Sequence, residues 1–272
     1  MLSDALLVER DGRVLRLTLN RPDHRNALST DLCARLLDQI RAAEADRSLS
    51  VIVLKGANRT FCAGYDLSGY SSDGADLAIH EDALICRRSA EVGEAIWRCD
   101  LPVITQVEGF ALAGGTDLVL ASDISLFARS ARIGHPAVRN LGTPPFNMWL
   151  YRVGAQQAKR MLLTGDIVSA EEAIAMGIGL RSYDDDAIDE EVMAVARRMA
   201  LVDRDCLVSN KHVLNSGIDL MGRAELQKIA AREDAIAHRS AGAEHFRQRA
   251  EEIGLSRAFK ERDAAFGPSG AL

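Results

Sequence analysis

The spacing of hydrophobic and polar positions changes along the chain, and this change predicts strands first and helices later. In residues 14–19 (VLRLTL), polar side chains alternate with apolar ones, which is typical of a strand with one buried face. An apolar run at 6–8 and the pair Asp11-Gly12 precede this segment, so we expect a β-hairpin here. Three continuous apolar runs, each typical of a buried strand, lie at 51–54, 103–107 and 124–127.

Helical spacing begins after Ser29, a residue type that caps helices, because apolar side chains then recur on one face up to residue 40. A loop rich in glycine and serine is predicted at 55–74, and a helix at about 76–98 that ends before Pro102. Strand signals fade in the second half of the chain. Helices are predicted there at 169–176, 185–200, 203–216 and 221–251.

Length and the order of elements favour an α/β fold built around one core. The chain has 272 residues, 47% of them hydrophobic, so it can bury a sizeable core without disulfide or metal support. No linker rich in proline, glycine or serine divides the strands from the later helices. We therefore expect a core domain at 1–200 and a helical region at 201–272.

Charge and cysteine content exclude several classes of protein. The 39 acidic and 33 basic residues are interspersed and sum to a net charge of −6, which argues against a nucleic-acid surface. No apolar stretch approaches the roughly 18 residues that suggest a membrane span, and the N-terminus lacks the pattern of a secretory signal. Five cysteines without a CxxC spacing argue against a disulfide framework or a zinc site, so a cytoplasmic protein is expected.

Several common functional motifs are missing from the sequence. It has no dinucleotide-binding fingerprint in the required strand–helix context, and no GxxxxGK[ST], HExxH or GxSxG. The run His80-Glu81-Asp82 looks metal-like, but it lacks a partner pair and is interpreted as a solvated helix face. The sequence therefore predicts no metal site and no nicotinamide cofactor.

Two loops of small residues, at 61–67 and 109–117, each follow a predicted buried strand. Small residues let a backbone approach a ligand closely, and free N–H groups at a helix start favour negative charge. Two such loops can aim two N–H donors at one carbonyl oxygen, which is the geometry of an oxyanion hole. Glycine-rich turns between strand and helix are also common packing devices, so spacing alone leaves both interpretations open.

Short motifs in a fixed order relate the chain to a known family. They are 20–22 (NRP), 26–28 (NAL), 61–67 (FCAGYDL), 109–115 (GFALAGG), 163–166 (LTGD), 169–177 (SAEEAIAMG) and 259–262 (FKER). With these motifs the sequence resembles the crotonase (enoyl-CoA hydratase/isomerase) superfamily over about residues 8–265. The resemblance implies a spiral core of stacked ββα units with a helical C-terminal region, and homotrimers that often pair into hexamers. It also implies an acyl-CoA thioester as substrate, as in fatty acid metabolism, with no permanently bound cofactor.

The same resemblance implies particular roles for residues of this chain. The backbone N–H groups of Tyr65 and Gly114 would form the oxyanion hole for the thioester oxygen. Lys260 or Arg262 would reach the CoA phosphates, with a plain solvated helix face as the alternative for both. The backbone that would cradle CoA lies around Arg25, Ala27, Ala63, Asp66 and Leu67.

The chain departs from the family pattern at its two acid–base positions. The first glutamate is replaced by Asp117, which is one methylene shorter, so we expect it to need a shifted substrate or a bridging water. The second position is Ala137, which has no ionisable group. His135 or Arg139 is a hypothetical replacement, and the alternative for His135 is a hydrogen bond to backbone.

These departures predict an enzyme with a single carboxylate, Asp117, as its acid and base. We expect two-carboxylate hydration to be impaired. One carboxylate suffices for a double-bond shift, because the same base can remove and return a proton. Isomerisation, or another single-base reaction such as thioester hydrolysis or racemisation, therefore becomes comparable with hydration. The alternative is an acyl-CoA-binding protein that has kept the pocket and lost the chemistry.

Overall fold

The computed structural model describes residues 4–67 and 77–267 of the chain. In this part the strands are β1 (Leu6–Asp11), β2 (Val14–Leu19), β3 (Val51–Gly56), β4 (Val103–Val107), β5 (Phe110–Leu112), β6 (Ile124–Ala128), β7 (Arg132–Gly134), β8 (Ile167–Ser169) and β9 (Arg181–Tyr183). The helices are α1 (Thr30–Ala45), α2 (Ile79–Ser89), α3 (Glu91–Arg98), α4 (Gly114–Ala121), α5 (Trp149–Thr164), α6 (Ala170–Met176), α7 (Ile188–Met199), α8 (Arg204–Leu220), α9 (Arg223–Ala237), α10 (Ala241–Ile253) and α11 (Leu255–Ala264).

A six-stranded sheet in the order β1-β2-β3-β4-β6-β9 forms the centre of the fold. The predicted hairpin and the three buried strands are confirmed, and every pairing after β1–β2 is parallel. The hairpin turn consists of Gly12 and Arg13, because Asp11 still pairs with Val14 as the last residue of β1. Helices pack on this sheet, and the α/β prediction is therefore correct.

A second sheet of three strands, in the order β5-β7-β8, was not predicted. Each of these strands has only three residues, which is too short to show an alternating pattern of polar and apolar side chains. The sheet connects the start of α4 with the turn at 136–139, because β5 leads into the former and β7 into the latter. The small sheet therefore connects the two segments that carry Asp117 and Ala137.

Two predicted helices are each divided in the structure. The helix expected at 76–98 is α2 followed by α3, because the two halves bury their apolar faces against different partners. Cys86 of α2 packs against α9, whereas Ile96 and Trp97 of α3 lie in the main core. The helix expected at 221–251 is α9 followed by α10, whose start is capped by the Ser240 hydroxyl.

The described residues also bear on two broader expectations. Ser29 caps α1 as predicted, since its side chain accepts a hydrogen bond from the N–H of Leu32. In the parts of the chain at 4–67 and 77–267, no helix is both long and apolar enough to cross a membrane. The loop predicted at 55–74 lies outside the described residues from position 68 onward.

The loops at 61–67 and 109–117 touch through their backbones. Cys62 pairs with Ala111 as an isolated parallel bridge between the two loops. A methyl group on Gly115 would lie only 2.3 Å from the carbonyl oxygen of Cys62, whereas one on Gly242 of α10 would make ordinary contacts at 3.9 Å. This contact between the two loops therefore requires a glycine at position 115.

We expect Gly115→Ala to lower the free energy of unfolding by about 1–3 kcal/mol, the usual cost of overpacking a rigid site. Gly242→Ala is the matched control, since it adds the same methyl group to another helix. Thermal or urea unfolding of both variants checks this. Equal stability of the two variants would show that the loops can separate without cost.

Candidate active site

The loop contact leaves two backbone N–H groups free. Leu28 pairs with the first loop by donating its N–H to the carbonyl of Gly64 and by accepting the N–H of Asp66. This pattern leaves the N–H of Tyr65 without an acceptor among the described residues. Gly114 is the first residue of α4, where an N–H has no partner within its own helix.

One close contact places the two loops side by side at these donors. A methyl group on Gly64 would lie 3.5 Å from the backbone nitrogen of Gly114. Ala113, which precedes α4, has a φ of 48°, an unusual value for a residue with a side chain. It is held by a hydrogen bond from its N–H to the carbonyl of Gly134. The two free donors therefore lie on adjoining loops.

Asp117 lies one turn into α4 and is 1% exposed. Its Oδ2 accepts a hydrogen bond of 3.0 Å from the phenol of Tyr65, and its Oδ1 has no hydrogen-bond partner in the described structure. Burial raises the pKa of Asp117 well above its usual range, the Tyr65 hydrogen bond opposes this, and the charge of Asp234 adds to it. Burial therefore favours the protonated form of Asp117 relative to an exposed aspartate.

His135 lies beside Asp117 but does not bond to it. Its Nδ1 is 3.8 Å from Oδ1 of Asp117, which is too long for a hydrogen bond, and neither atom has another partner in the described part of the chain. Burial lowers the pKa of His135 to about 3, so the imidazole is neutral at physiological pH. The Thr116 hydroxyl fixes this region by donating to the carbonyl of Gly134.

A cavity of about 400 Å³ opens in front of these groups. The ring of Tyr65 lines it, and a methyl group on Gly114 would lie 2.9 Å from that ring. Asp117 is not among the described residues that line the cavity, whereas Tyr65, to which it is hydrogen-bonded, is among them. The residues that line it also include Arg25, Ala63, Leu67, His135, Ala137, Asp234, His238 and Arg262.

Comparison with known proteins shows which family the chain belongs to. The sequence pattern of the enoyl-CoA hydratase/isomerase family matches residues 9–263. The chain belongs to this family. It is an enzyme family whose members act on CoA thioesters, and its recognition from the motifs in the sequence is confirmed.

Named relatives and solved structures agree with the family assignment. The 2,3-dehydroadipyl-CoA hydratase of Escherichia coli (strain K12) is 32% identical over 240 residues, which cover 84% of this chain and 91% of that protein. The crotonyl-CoA hydratase of Syntrophomonas wolfei is 28% identical over 228 residues, which cover 80% and 84% of the two chains.

Solved structures confirm the crotonase fold. An enoyl-CoA hydratase from Mycobacterium smegmatis superposes with a TM-score of 0.93 at 28% identity and covers 99% of this chain and 98% of its own. An enoyl-CoA hydratase/isomerase from Xanthobacter autotrophicus Py2 gives a TM-score of 0.91 at 28% identity, covering 97% and 99%.

The residues expected to bind CoA in this family member are only partly assembled at the cavity. Arg25, Ala63 and Leu67 line it. Ala27 and Asp66 face Arg21 instead, which donates to the Ala27 carbonyl and forms an ion pair of 2.7 Å with the Asp66 carboxylate. These contacts hold the first loop against the segment that precedes α1.

The two candidate cations of α11 lie in different environments. Lys260 is exposed, and it is not among the described residues that line the cavity. Arg262 lines the cavity, and its side chain is only 7% exposed, so a solvated helix face is wrong for this residue. It pairs with Asp263 at 2.7 Å and lies 4.8 Å from the ring centre of Phe259.

Arg139 does not replace the carboxylate that is missing at Ala137. Its guanidinium pairs with Asp263 at 2.8 Å and lies 4.0 Å from the ring centre of Phe266. Among the described residues that line the cavity, Ala137 is present and Arg139 is not. The hypothesis for Arg139 therefore loses its geometric basis.

Sequence reasoning missed a group of polar side chains where α2 packs on α9. Asp82 was expected on a solvated helix face, but it is buried. Arg239 pairs with it at 2.6 Å and His238 at 3.1 Å. Cys86, Asp234 and His238 line the cavity. A signal was present in the spacing of Asp234 and His238, which places both on one face of a helix.

This group does not have the character of a metal site. Ligand atoms of Asp82, Cys86 and His238 lie within 4.8 Å of one another. Arg239, however, already supplies a positive charge to Asp82, and burial raises the pKa of the Cys86 thiol. A guanidinium on the carboxylate and a protonated thiol both oppose a cation.

We expect the carboxyl group of Asp117 to stay protonated at pH 7. The infrared spectrum of Asp117→Asn should lack a carboxylic-acid C=O band that the wild type shows at this pH. Asp185→Asn is the control, because hydrogen bonds from Ser130 lower the pKa of that exposed carboxylate. Loss of the band from the wild type at pH 5 would contradict the protonated state.

Proposed function

We propose that this enzyme moves a proton at the α-carbon of an acyl-CoA thioester through an enolate intermediate. The observation that carries the proposal is the buried Asp117 carboxyl next to two free N–H donors. Enolate formation places negative charge on the thioester oxygen. Donors that already point at this oxygen stabilise the transition state more than the ground state.

The N–H groups of Tyr65 and Gly114 are the proposed oxyanion hole. Both lack an acceptor within the described residues, and both lie where the two loops meet. Loss of one such donor costs about 10²–10³ in rate in other enzymes.

The proton path runs from Asp117 through the phenol of Tyr65. When the ionised form of Asp117 acts as the base, the phenol oxygen takes the proton from the α-carbon while its own proton moves to Oδ2 of Asp117. The C–H electron pair becomes the enolate. The 3.0 Å hydrogen bond between phenol and carboxyl supports this path, and it supplies the bridge that the shorter aspartate side chain needs.

This path serves double-bond migration, racemisation and the protonation step of hydration alike. Thioester hydrolysis would instead need water to attack the carbonyl carbon. Arg25, Ala63 and Leu67 are the proposed contacts to CoA at the cavity, with Arg262 as the proposed partner of its phosphates. CoA enters as part of the substrate, and no permanent cofactor is proposed.

We expect the protein to catalyse exchange of the α-hydrogens of butyryl-CoA in deuterated water, measured by mass spectrometry. Asp117→Asn should slow this exchange by about 10²–10⁴-fold, the usual contribution of a positioned acid or base. Since the pKa of Asp117 is raised well above its usual range, the ionised base becomes more abundant with rising pH. The exchange rate should therefore rise with pH across the neutral range, with no added step from His135.

Tyr65→Phe separates the two roles of this residue, because it removes the phenol and keeps the backbone N–H. It should slow exchange by about 10²-fold with little change in KM. Tyr151→Phe is the control, since that phenol lies only 3.5 Å from the carbonyl of Met221 and away from the cavity. Binding of butyryl-CoA without exchange in the wild type would favour an acyl-CoA-binding protein.

We also propose that the helical region at 201–272 holds copies of the chain together as a trimer or a pair of trimers. Val213 and Leu214 are 73% and 70% exposed, and Leu220 is 89% exposed. With Met221 they lie at helical spacing along α8 and just beyond its end. An exposed apolar stripe of this kind is typical of a protein interface.

The variant Leu214→Asp/Leu220→Asp should lower the mass of the assembly, because it places charges within the stripe. Light scattering after gel filtration should show three or six chains for the wild type and fewer for the variant. Leu163→Asp is the control, since Leu163 is 79% exposed on α5. A monomeric wild type would contradict the proposal.

A cytoplasmic location is proposed from the cysteines. All five are unpaired, which suits a reducing compartment.

A further inference from the structure

Asp234 of α9 lines the same cavity as residues of the two loops. Its side chain is buried at 6% exposure, and it lines the cavity together with Tyr65, His135 and Ala137. Its charge also raises the pKa of Asp117 and of Tyr65, after the larger effect of burial on both groups. The carboxyl group is therefore electrostatically coupled to the proton path, although α9 lies far from the loops in sequence.

The segment that follows Ala137 holds Asp234 in place. The backbone N–H of Thr143 lowers the pKa of its carboxyl group, against the larger effect of burial. A methyl group on Gly142 would lie 2.0 Å from its Oδ1, so this residue has no room for a side chain. The same segment that lacks the second glutamate of the family thus positions a carboxyl group from another helix.

We propose that Asp234 is the second acid–base group of this enzyme and activates water for addition to an α,β-unsaturated acyl-CoA. This inference rests on the proposed function of Asp117 and Tyr65. The alanine at position 137 argues against hydration, and a second acid–base group from α9 would make this reaction available to the enzyme.

In the proposed hydration step, ionised Asp234 takes a proton from water while the water oxygen bonds to the β-carbon of the substrate. The π electrons move toward the thioester, and the oxyanion hole holds the resulting enolate. The α-carbon then takes the phenol proton of Tyr65, which Asp117 replaces. Asp234 ends protonated and Asp117 ionised, and proton exchange with solvent restores both.

The surroundings of Asp234 suit a base near neutral pH. Burial raises its pKa to about 6, while His238, the Cys86 thiol and the N–H of Thr143 act in the opposite direction. Above this pH the group is ionised and can accept a proton. Other charged or titratable groups that line the cavity are Arg25, Tyr65, His135, Arg262 and Asp263. The charge of Asp82 on α2 also raises the pKa of Asp234, and Asp117 bonds to the Tyr65 phenol without being among the described lining residues.

Two rates measured on the same protein test this inference. One is hydration of crotonyl-CoA, followed as loss of the conjugated thioester, and the other is α-hydrogen exchange of butyryl-CoA. Hydration needs both carboxyl groups, whereas exchange needs only the path through Tyr65 and Asp117. Asp234→Asn should lower the ratio of hydration to exchange by about 100-fold or more.

The pH profile gives a second readout that a merely structural role would not move. In the wild type, kcat/KM for hydration should rise with pH through about 6 as Asp234 ionises, and Asp234→Asn should lose this rise. Glu233→Gln is the matched control, because it makes the same chemical change at the adjacent, exposed position of α9, which faces Arg232. It should leave the ratio and the profile unchanged.

Restoring a carboxylate at the family position provides a rescue. Ala137→Glu added to Asp234→Asn should recover hydration, since residue 137 lines the same cavity. Thermal unfolding of Asp234→Asn should show a folded protein, because the change removes a buried ionisable group.

An unchanged ratio of hydration to exchange in Asp234→Asn, whether both rates fall equally or neither falls, would overturn the role of Asp234. Absence of exchange in the wild type would instead overturn the proposed function itself, so the two failures are distinguishable.

Discussion

The site depends on one steric constraint: two loops touch through their backbones at positions where no side chain fits. Gly115 lies against the carbonyl of Cys62, and Gly64 lies against Ala113 and the carbonyl of Leu112. A side chain at either glycine would push the loops apart. The free N–H groups would then separate, and the start of α4 would move with the carboxyl group it carries. The glycines are therefore what makes a converging pair of donors possible.

Burial then determines the charge inside the site. Asp117 and His135 are both deeply buried, and burial favours the neutral form of each. Arg139 and Arg262 are both paired with Asp263, so their charges are already partly balanced. In the proposed reaction the enolate is the main charge that develops, and the proposed backbone donors would act on it in a region of low dielectric constant.

The sequence was informative wherever the chemistry lies within one short segment. The loops at 61–67 and 109–117 and the position of Asp117 could be read from local motifs, and β1 to β4 and β6 of the large sheet from apolar or alternating runs. The last strand of that sheet, β9, could not be read, because it has only three residues. The small sheet could not, because its strands have three residues each. The bond from the Tyr65 phenol to Asp117 depends on a side-chain rotamer, and the place of Asp234 depends on how α9 packs on α2, so neither has a local signature.

Two carboxyl groups can serve as acid and base only if their surroundings keep them in different protonation states. Asp117 accepts one hydrogen bond, from Tyr65, and burial is the largest influence on its pKa, which lies well above its usual range. Asp234 is also buried, but His238 and the N–H of Thr143 favour its ionised form, so its pKa rises less. The roles in the proposed hydration follow from this difference. They do not require either carboxyl group to occupy the family position at Ala137, because the reaction depends on which groups face the cavity.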